Sequence, residues 1–159
     1  MATDRAYRLL GRDSELEDVV QESFAAAFDA LAKLVDPQAF AAWLSRIVTG
    51  TAIATIRRRR MLARLGLVHV EPVKLEELVA PHAPPDVVTE LRAIYGTIDA
   101  FPADERAAIV LRRVEQLTLE QVAEQTGWSL ATVKRRLARA EERLEKALAA
   151  PSASARRSR

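Results

Sequence analysis

Residues 117–137 read LTLEQVAEQTGWSLATVKRRL, and the fold class turns on whether they form two packed helices or one amphipathic segment. Thr118 and Gln121 make a capping-box pair that opens a helix ending near Gln125 or Thr126. Gly127 suits the left-handed position just after a helix. Ser129 offers another N-cap, for a helix that begins at Leu130. Helix, a turn of about three or four residues with glycine, then helix is the layout of a helix-turn-helix. Val122 and Ala123 give the first helix a small contact face. Val133, Leu137, Ala140 and Leu144 recur at helical spacing along the second.

Beside that buried stripe, at about 100° per residue, Thr132, Arg135, Arg136, Arg139 and Arg143 fall in one sector roughly a quarter turn away. A recognition helix needs this arrangement, with one side on its scaffold and another projecting donors into the major groove. Ser129, Leu130 and Thr132 lie at the end that enters the groove. Lys134, Arg135 and Arg136 follow, and Arg139 and Arg143 are spaced to hold phosphates. The competing reading is a surface helix kept soluble by arginines paired with Glu141, Glu142 and Glu145.

Outside this stretch the chain reads as helical throughout. Of its 159 residues, 49% are hydrophobic, 29% are charged and only five are glycine, the balance of a folded protein rich in helix formers. The absence of cysteine excludes a disulfide framework and a thiolate zinc site. The N-terminus lacks the apolar core of a signal peptide, and no apolar run approaches the roughly 18 residues of a membrane span. The expected address is the cytoplasm. His69 and His82 lie in a proline-rich stretch without metal-ligand spacing, and no glycine loop or activated serine is evident. The expectation is a non-enzyme with no cofactor, no metal and no small-molecule ligand.

The net charge of +2 conceals a pattern. Residues 1–45 hold eight acidic and four basic side chains, residues 46–64 six arginines and no acid. Residues 71–105 return to eight acidic against two basic, and residues 128–146 carry six basic against three acidic. Two basic blocks on two helices imply two surfaces for a polyanion.

Ser14 to Glu17 forms a capping-box pattern ahead of Leu16, Val19, Val20, Phe24, Phe28 and Leu31, a helix reaching about Leu34. Asp36-Pro37 caps the next helix, whose apolar set is Phe40, Trp43, Leu44, Ile47, Val48 and Thr51. If this helix continues through Ile56, then Arg46, Arg57, Arg60 and Arg64 share one face and Arg58 and Arg59 point elsewhere, into solvent. The expected architecture is all-α: two small helical domains joined by a proline-rich linker, the second a helix-turn-helix. The boundaries are residues 1–66, a linker at 67–86 with a possible turn at 75–79, residues 87–150, and a basic disordered tail at 151–159. Asp86 opens a helix to about Ala100, and Phe101-Pro102 opens the next.

Taken together, ELEDVVQESFAAAF (15–28), AFAAWLSRIVTGTAIATIRRRR (39–60) and the long segment from Ile98 to Leu144 resemble bacterial sigma factors of the extracytoplasmic-function type. The resemblance runs from about residue 4 to residue 148. It implies a first acidic helix that docks on the clamp helices of core RNA polymerase through Asp18, Gln21 and Glu22. It implies a following helix that meets the minus-ten element with Trp43, Arg46, Arg57, Arg60 and Arg64, Phe40 packing in the core. The helix-turn-helix would read the minus-thirty-five element, with the polymerase flap, promoter DNA and an anti-sigma factor as further partners. Two departures stand out. Thr49-Gly50 and Ala54 replace the family's frequent Arg-Asn and later Asp, and most of the family's opening helix is expected to be missing, with only DRAYRLLG (4–11) resembling its successor. A stand-alone helix-turn-helix regulator that never touches polymerase is the alternative, and a helical interaction module is another. Without DNA or polymerase, the halves are expected to pack so that the basic helices are hidden.

Overall fold

The computed structural model of the protein describes residues 2–11, 15–68, 84–85 and 94–149. Among these the regular structure is helical, with no strand. Helix α1 spans Ala2–Leu10, α2 Leu16–Ala30 and α3 Phe40–Arg64. After helix α4, described over residues 94–99, come α5 (Ala103–Ile109), α6 (Leu119–Thr126) and α7 (Leu130–Ala149). The expected linker lies outside the described residues except for 67, 68, 84 and 85, as do His69, His82, Asp86 and the tail.

Local chemistry explains most boundaries. Thr118 Oγ1 accepts from Gln121 N and the Gln121 side chain accepts from Thr118 N, so the capping box is complete. Gly127 ends α6 in the left-handed conformation at φ 72°. Asp36 accepts from Gln38 N at 2.9 Å, with Pro37 in the first helical position, and a 3-10 turn over Pro37–Ala39 leads into α3. The expected Ser14 cap lies outside the described residues. Glu15 instead occupies the N-cap of α2 and makes no side-chain cap bond, its carboxylate being turned to Arg59 at 2.6 Å.

Helix α3 is the axis of the fold, packed by α1, α2, α5 and α6. Val48, Ala52, Ile53 and Ile56 of α3, with Leu9 and Leu10 of α1, join Ile98, Phe101, Ala107, Leu111, Val122 and Val133 in one continuous buried cluster. Each fully buried leucine or isoleucine contributes about 1.5–3 kcal/mol of transfer free energy. The buried Thr49 keeps its hydroxyl satisfied by donating to Ser45 O at 2.8 Å. By length and mean hydropathy the stretch Pro37–Arg64 meets the criteria of a membrane span, contrary to the expectation that no segment would. Val48, Ala52, Ile53 and Ile56 within it are core residues, and it carries Arg46 and Arg57 to Arg60.

Helix α5 widens into a π-helical turn at Val110–Val114, with Glu115 N bonded to Val110 O at 3.0 Å. Gln116 follows at φ 56° and turns the chain toward α6.

Two apolar expectations fail. Phe24 and Phe28 are 50% and 81% exposed, and Leu31 is also exposed. Val19, Ser23 and Ala27 are the buried residues of α2 instead, so the helix is rotated from the largest side chains onto the smaller ones. Phe40, expected in the core, is 40% exposed and stacks at a tilt on Trp43, with ring centroids 5.9 Å apart.

The two glycines of opposite environment give opposite predictions. Gly50 lies in the middle of α3 with nothing within 4 Å of a Cβ placed there, so Gly50→Ala raises unfolding free energy by about 0.5–1 kcal/mol. Gly127→Ala forces an alanine into a left-handed conformation and lowers it by about 1–2 kcal/mol. Urea titration of both variants checks the pair, and an unchanged midpoint for Gly127→Ala would contradict the cap.

Candidate nucleic-acid interface

The second helix of the helix-turn-helix is anchored before it is exposed. Ser129 Oγ accepts from Thr132 N at 3.3 Å and donates to Thr132 Oγ1 at 2.9 Å, so both polar residues serve the cap of α7. Val133 and Ala140 are buried, Leu137 and Leu144 partly so, and the helix packs chiefly on α5.

The predicted arginine sector divides into two groups. Arg136 is half-buried: its guanidinium carbon lies 3.9 Å from the centroid of the Trp128 ring, and Nη2 lies 2.8 Å from Asp104 Oδ2. Burial lowers its pKa from the usual guanidinium value, the Asp104 carboxylate opposing that shift. Arg143 Nε lies 2.7 Å from Glu105. These two arginines tie α7 to the first turn of α5. Lys134, Arg135 and Arg139 are exposed and are among the cations of this helix that project outward. The partners Asp104, Glu105 and Trp128 escaped sequence reasoning. No spacing rule links acids in one helix to arginines of a later helix, or an aromatic in a turn to an arginine two helical turns later.

On α3 the expected phosphate stripe is present but occupied. Arg57, Arg60 and Arg64 line a cleft of about 370 Å³ with Met61, Leu65, Pro102 and Asp104. Arg57 Nε donates to Asp104 at 3.1 Å. Arg60 donates to the carbonyls of Asp99 (3.3 Å), Ala100 (2.9 Å) and Phe101. Its pKa is lowered by burial first and by the neighbouring Arg64 second, yet a guanidinium keeps its proton at neutral pH. Arg46 sits apart, about three turns away, exposed, with Nη2 3.3 Å from where a Cβ on Gly127 would lie. Trp43 is half-buried. Arg58 is exposed as expected, but Arg59 is not solvated: it is 6% exposed, 2.6 Å from Glu15 and 3.8 Å from Asp99. On α2, Asp18, Gln21 and Glu22 are all exposed, and Gln21 Nε2 donates to Glu17 at 3.1 Å.

Comparison with known families decides what these two surfaces belong to. Residues 2–61 match the sigma-70 region 2 family and residues 91–144 match sigma-70 region 4. The RNA polymerase sigma-H factor of Pseudomonas aeruginosa is 33% identical over 143 residues, covering 84% of this chain and 73% of that protein. The ECF RNA polymerase sigma factor SigW of Bacillus subtilis is 29% identical, over 89% of this chain and 80% of its own. The chain belongs to the extracytoplasmic-function sigma factors.

Solved structures agree with this sigma-factor assignment. The sigma factor RpoE of Bartonella quintana, crystallised with the anti-sigma factor NepR, matches with a TM-score of 0.65 at 25% identity, covering 92% of this chain and 89% of that one. CnrH in complex with the cytosolic domain of CnrY gives a TM-score of 0.59 at 29% identity, covering 95% and 82%. Against the ECF RNA polymerase sigma factor SigE of Mycolicibacterium smegmatis, 31% identical, this sigma factor covers 91% of itself but 56% of that relative's length. Of the α3 residues singled out in the sequence, Thr49 is buried while Gly50 and Ala54 are exposed.

The division of the α7 arginines is measurable. Arg136→Ala removes a cation–π contact and an ion pair together and lowers stability by about 1–2 kcal/mol. Arg139→Ala leaves stability within about 0.5 kcal/mol and weakens duplex binding. Thermal melts beside fluorescence anisotropy on one duplex separate the two, and equal stability losses would refute the division.

Proposed function

We propose that this sigma factor binds core RNA polymerase and directs it to specific promoters, without catalysing a reaction of its own. The observation that carries the reading is the presence of both sigma-70 regions in one chain. Region 2 presents an exposed polar face on α2 for the polymerase clamp helices, and region 4 presents the outward cations of α7 for minus-thirty-five DNA. Gln21 and Phe28 lie seven residues apart, almost in line along the helix, so Phe28 extends the Asp18/Gln21/Glu22 face with apolar area. A stand-alone regulator would leave that face, and the exposure of Phe28, without a use.

Contacts to the minus-ten element fall to Trp43, Arg46, Arg57, Arg60 and Arg64. Those to the minus-thirty-five element fall to Ser129, Thr132, Lys134, Arg135 and Arg139, with Arg136 and Arg143 fixing the helix that presents them. The polymerase flap is the partner of region 4. An anti-sigma factor is a further partner, by analogy with the RpoE–NepR and CnrH–CnrY complexes. The place of action is the cytoplasm, where polymerase and promoter meet.

Pull-down by purified core polymerase tests the reading. The wild-type chain is expected to bind, and an Asp18→Ala, Gln21→Ala double variant to lose at least about tenfold in affinity, the size of an interface hot spot. A well-folded wild-type chain that fails to bind would overturn it.

A further inference from the structure

We propose that the free chain is held closed by its own charges, with residues 99–104 standing where promoter phosphates would otherwise lie. The inference rests on the sigma-factor reading above. The occupied stripe supplies the first half of the argument. Arg57 donates to the Asp104 carboxylate, and Arg60 to three successive carbonyls at the end of α4. A carboxylate beside the negative end of a helix is a compact anionic surface, and it faces the cleft that Arg64 also lines. At the other end of α3, Arg46 lies against Gly127 in the turn of the helix-turn-helix. The region 2 basic stripe therefore meets region 4 at two places, Arg46 and Arg57 staying exposed beside those contacts.

The second half is what keeps region 4 there. Arg5 of α1 donates to Gln125 of α6 and to Glu115, each at 2.7 Å. Arg8 approaches the other Glu115 oxygen at 3.8 Å. The Glu115 side chain is 7% exposed and that of Arg5 14%, so water screens this pair poorly. Gln125 also reaches Ala42 O of α3 at 3.5 Å. None of Arg5, Glu115 and Gln125 belongs to the surfaces assigned to DNA or polymerase. They form a pin set apart from the stripe it keeps covered. A polyanion that binds only the open form then sees an affinity reduced by the fraction of chains that are open.

The test measures binding of a short fluorescent duplex by the purified full chain without polymerase. Arg5→Glu makes the chain more negative, so charge alone predicts weaker binding. Opening of the pin predicts the reverse, a tightening of about tenfold. Adding Glu115→Arg to it restores the pair and is expected to return affinity to within about twofold of wild type. Small-angle scattering should show Arg5→Glu larger than wild type and the charge-swapped double variant compact again. Unchanged or weaker duplex binding by a cooperatively melting Arg5→Glu variant overturns the proposal, as does a double variant that stays as tight as the single. If Arg5→Glu does not fold, Glu115→Gln decides by the same comparison: tightening supports the pin and an affinity within about twofold of wild type refutes it. Core polymerase binding is assayed on the same proteins. Its absence throughout would remove the sigma-factor reading, whereas failure of the duplex result alone removes only the closed state.

Discussion

The buried guanidinium of Arg106 is where the two halves of the molecule meet, and its placement conditions everything around it. Arg106 projects from α5 and is 1% exposed. It donates to Leu9 O at 2.6 Å and Leu10 O at 2.7 Å, with Asp99 at 2.5 Å. The last carbonyls of a helix have no partner within it, and α1 stops at Gly11 in the left-handed conformation. A cation at that end satisfies the carbonyls and complements the dipole. Burying an unpaired guanidinium would cost several kcal/mol. The arrangement is therefore stable only with α1, α4 and α5 in register, which couples the first helix of region 2 to the beginning of region 4.

From that register the neighbouring residues follow. Asp104 and Glu105 precede Arg106 in the first turns of α5, and they orient Arg136 and Arg143 of α7. Asp104 also meets Arg57 of α3. One helical turn of acids thus sets the angle of the recognition helix against its own scaffold and contacts the arginine stripe of the other half. Arg136 also lies over the Trp128 ring, so its planar head serves the turn rather than an outward ligand. This economy explains why an arginine sector on α7 is not uniformly available: two of its members face α5 while Arg135 and Arg139 remain in solvent.

What was legible in the sequence was what is decided within a few residues. The Thr118–Gln121 box, Gly127, Ser129 and Asp36-Pro37 are caps whose geometry depends on local backbone, and each appears where the pattern placed it. The buried stripe of α7 followed from its period. The errors arose where a helix chooses which face to bury. The large apolar residues of α2 pointed to a Phe24–Phe28 core face, but α3 accepts the small Ser23 and Ala27 there, with Ser23 Oγ satisfied by Val19 O at 2.6 Å. Arg59 looked solvated because arginines usually are. It is buried because Glu15 and Asp99, distant in sequence, converge on it. Neither outcome is visible to a window of one helix.

The alternation of charge along the chain is the one long-range feature that a reader of sequence had in hand. Acidic residues 99, 104 and 105 close the second acidic block, and apart from Arg106 the arginines they meet lie in the basic blocks on either side of it. Opposite charges are thus paired between blocks as well as within helices. A polyanion approaching either basic helix competes with carboxylates and carbonyls already in place, so its binding includes the cost of displacing them. Screening by salt acts on the exposed Arg57–Asp104 pair more than on the buried Arg5–Glu115 pair. Moderate salt thus loosens the Arg57–Asp104 contact on the stripe before it loosens the Arg5–Glu115 contact between the halves.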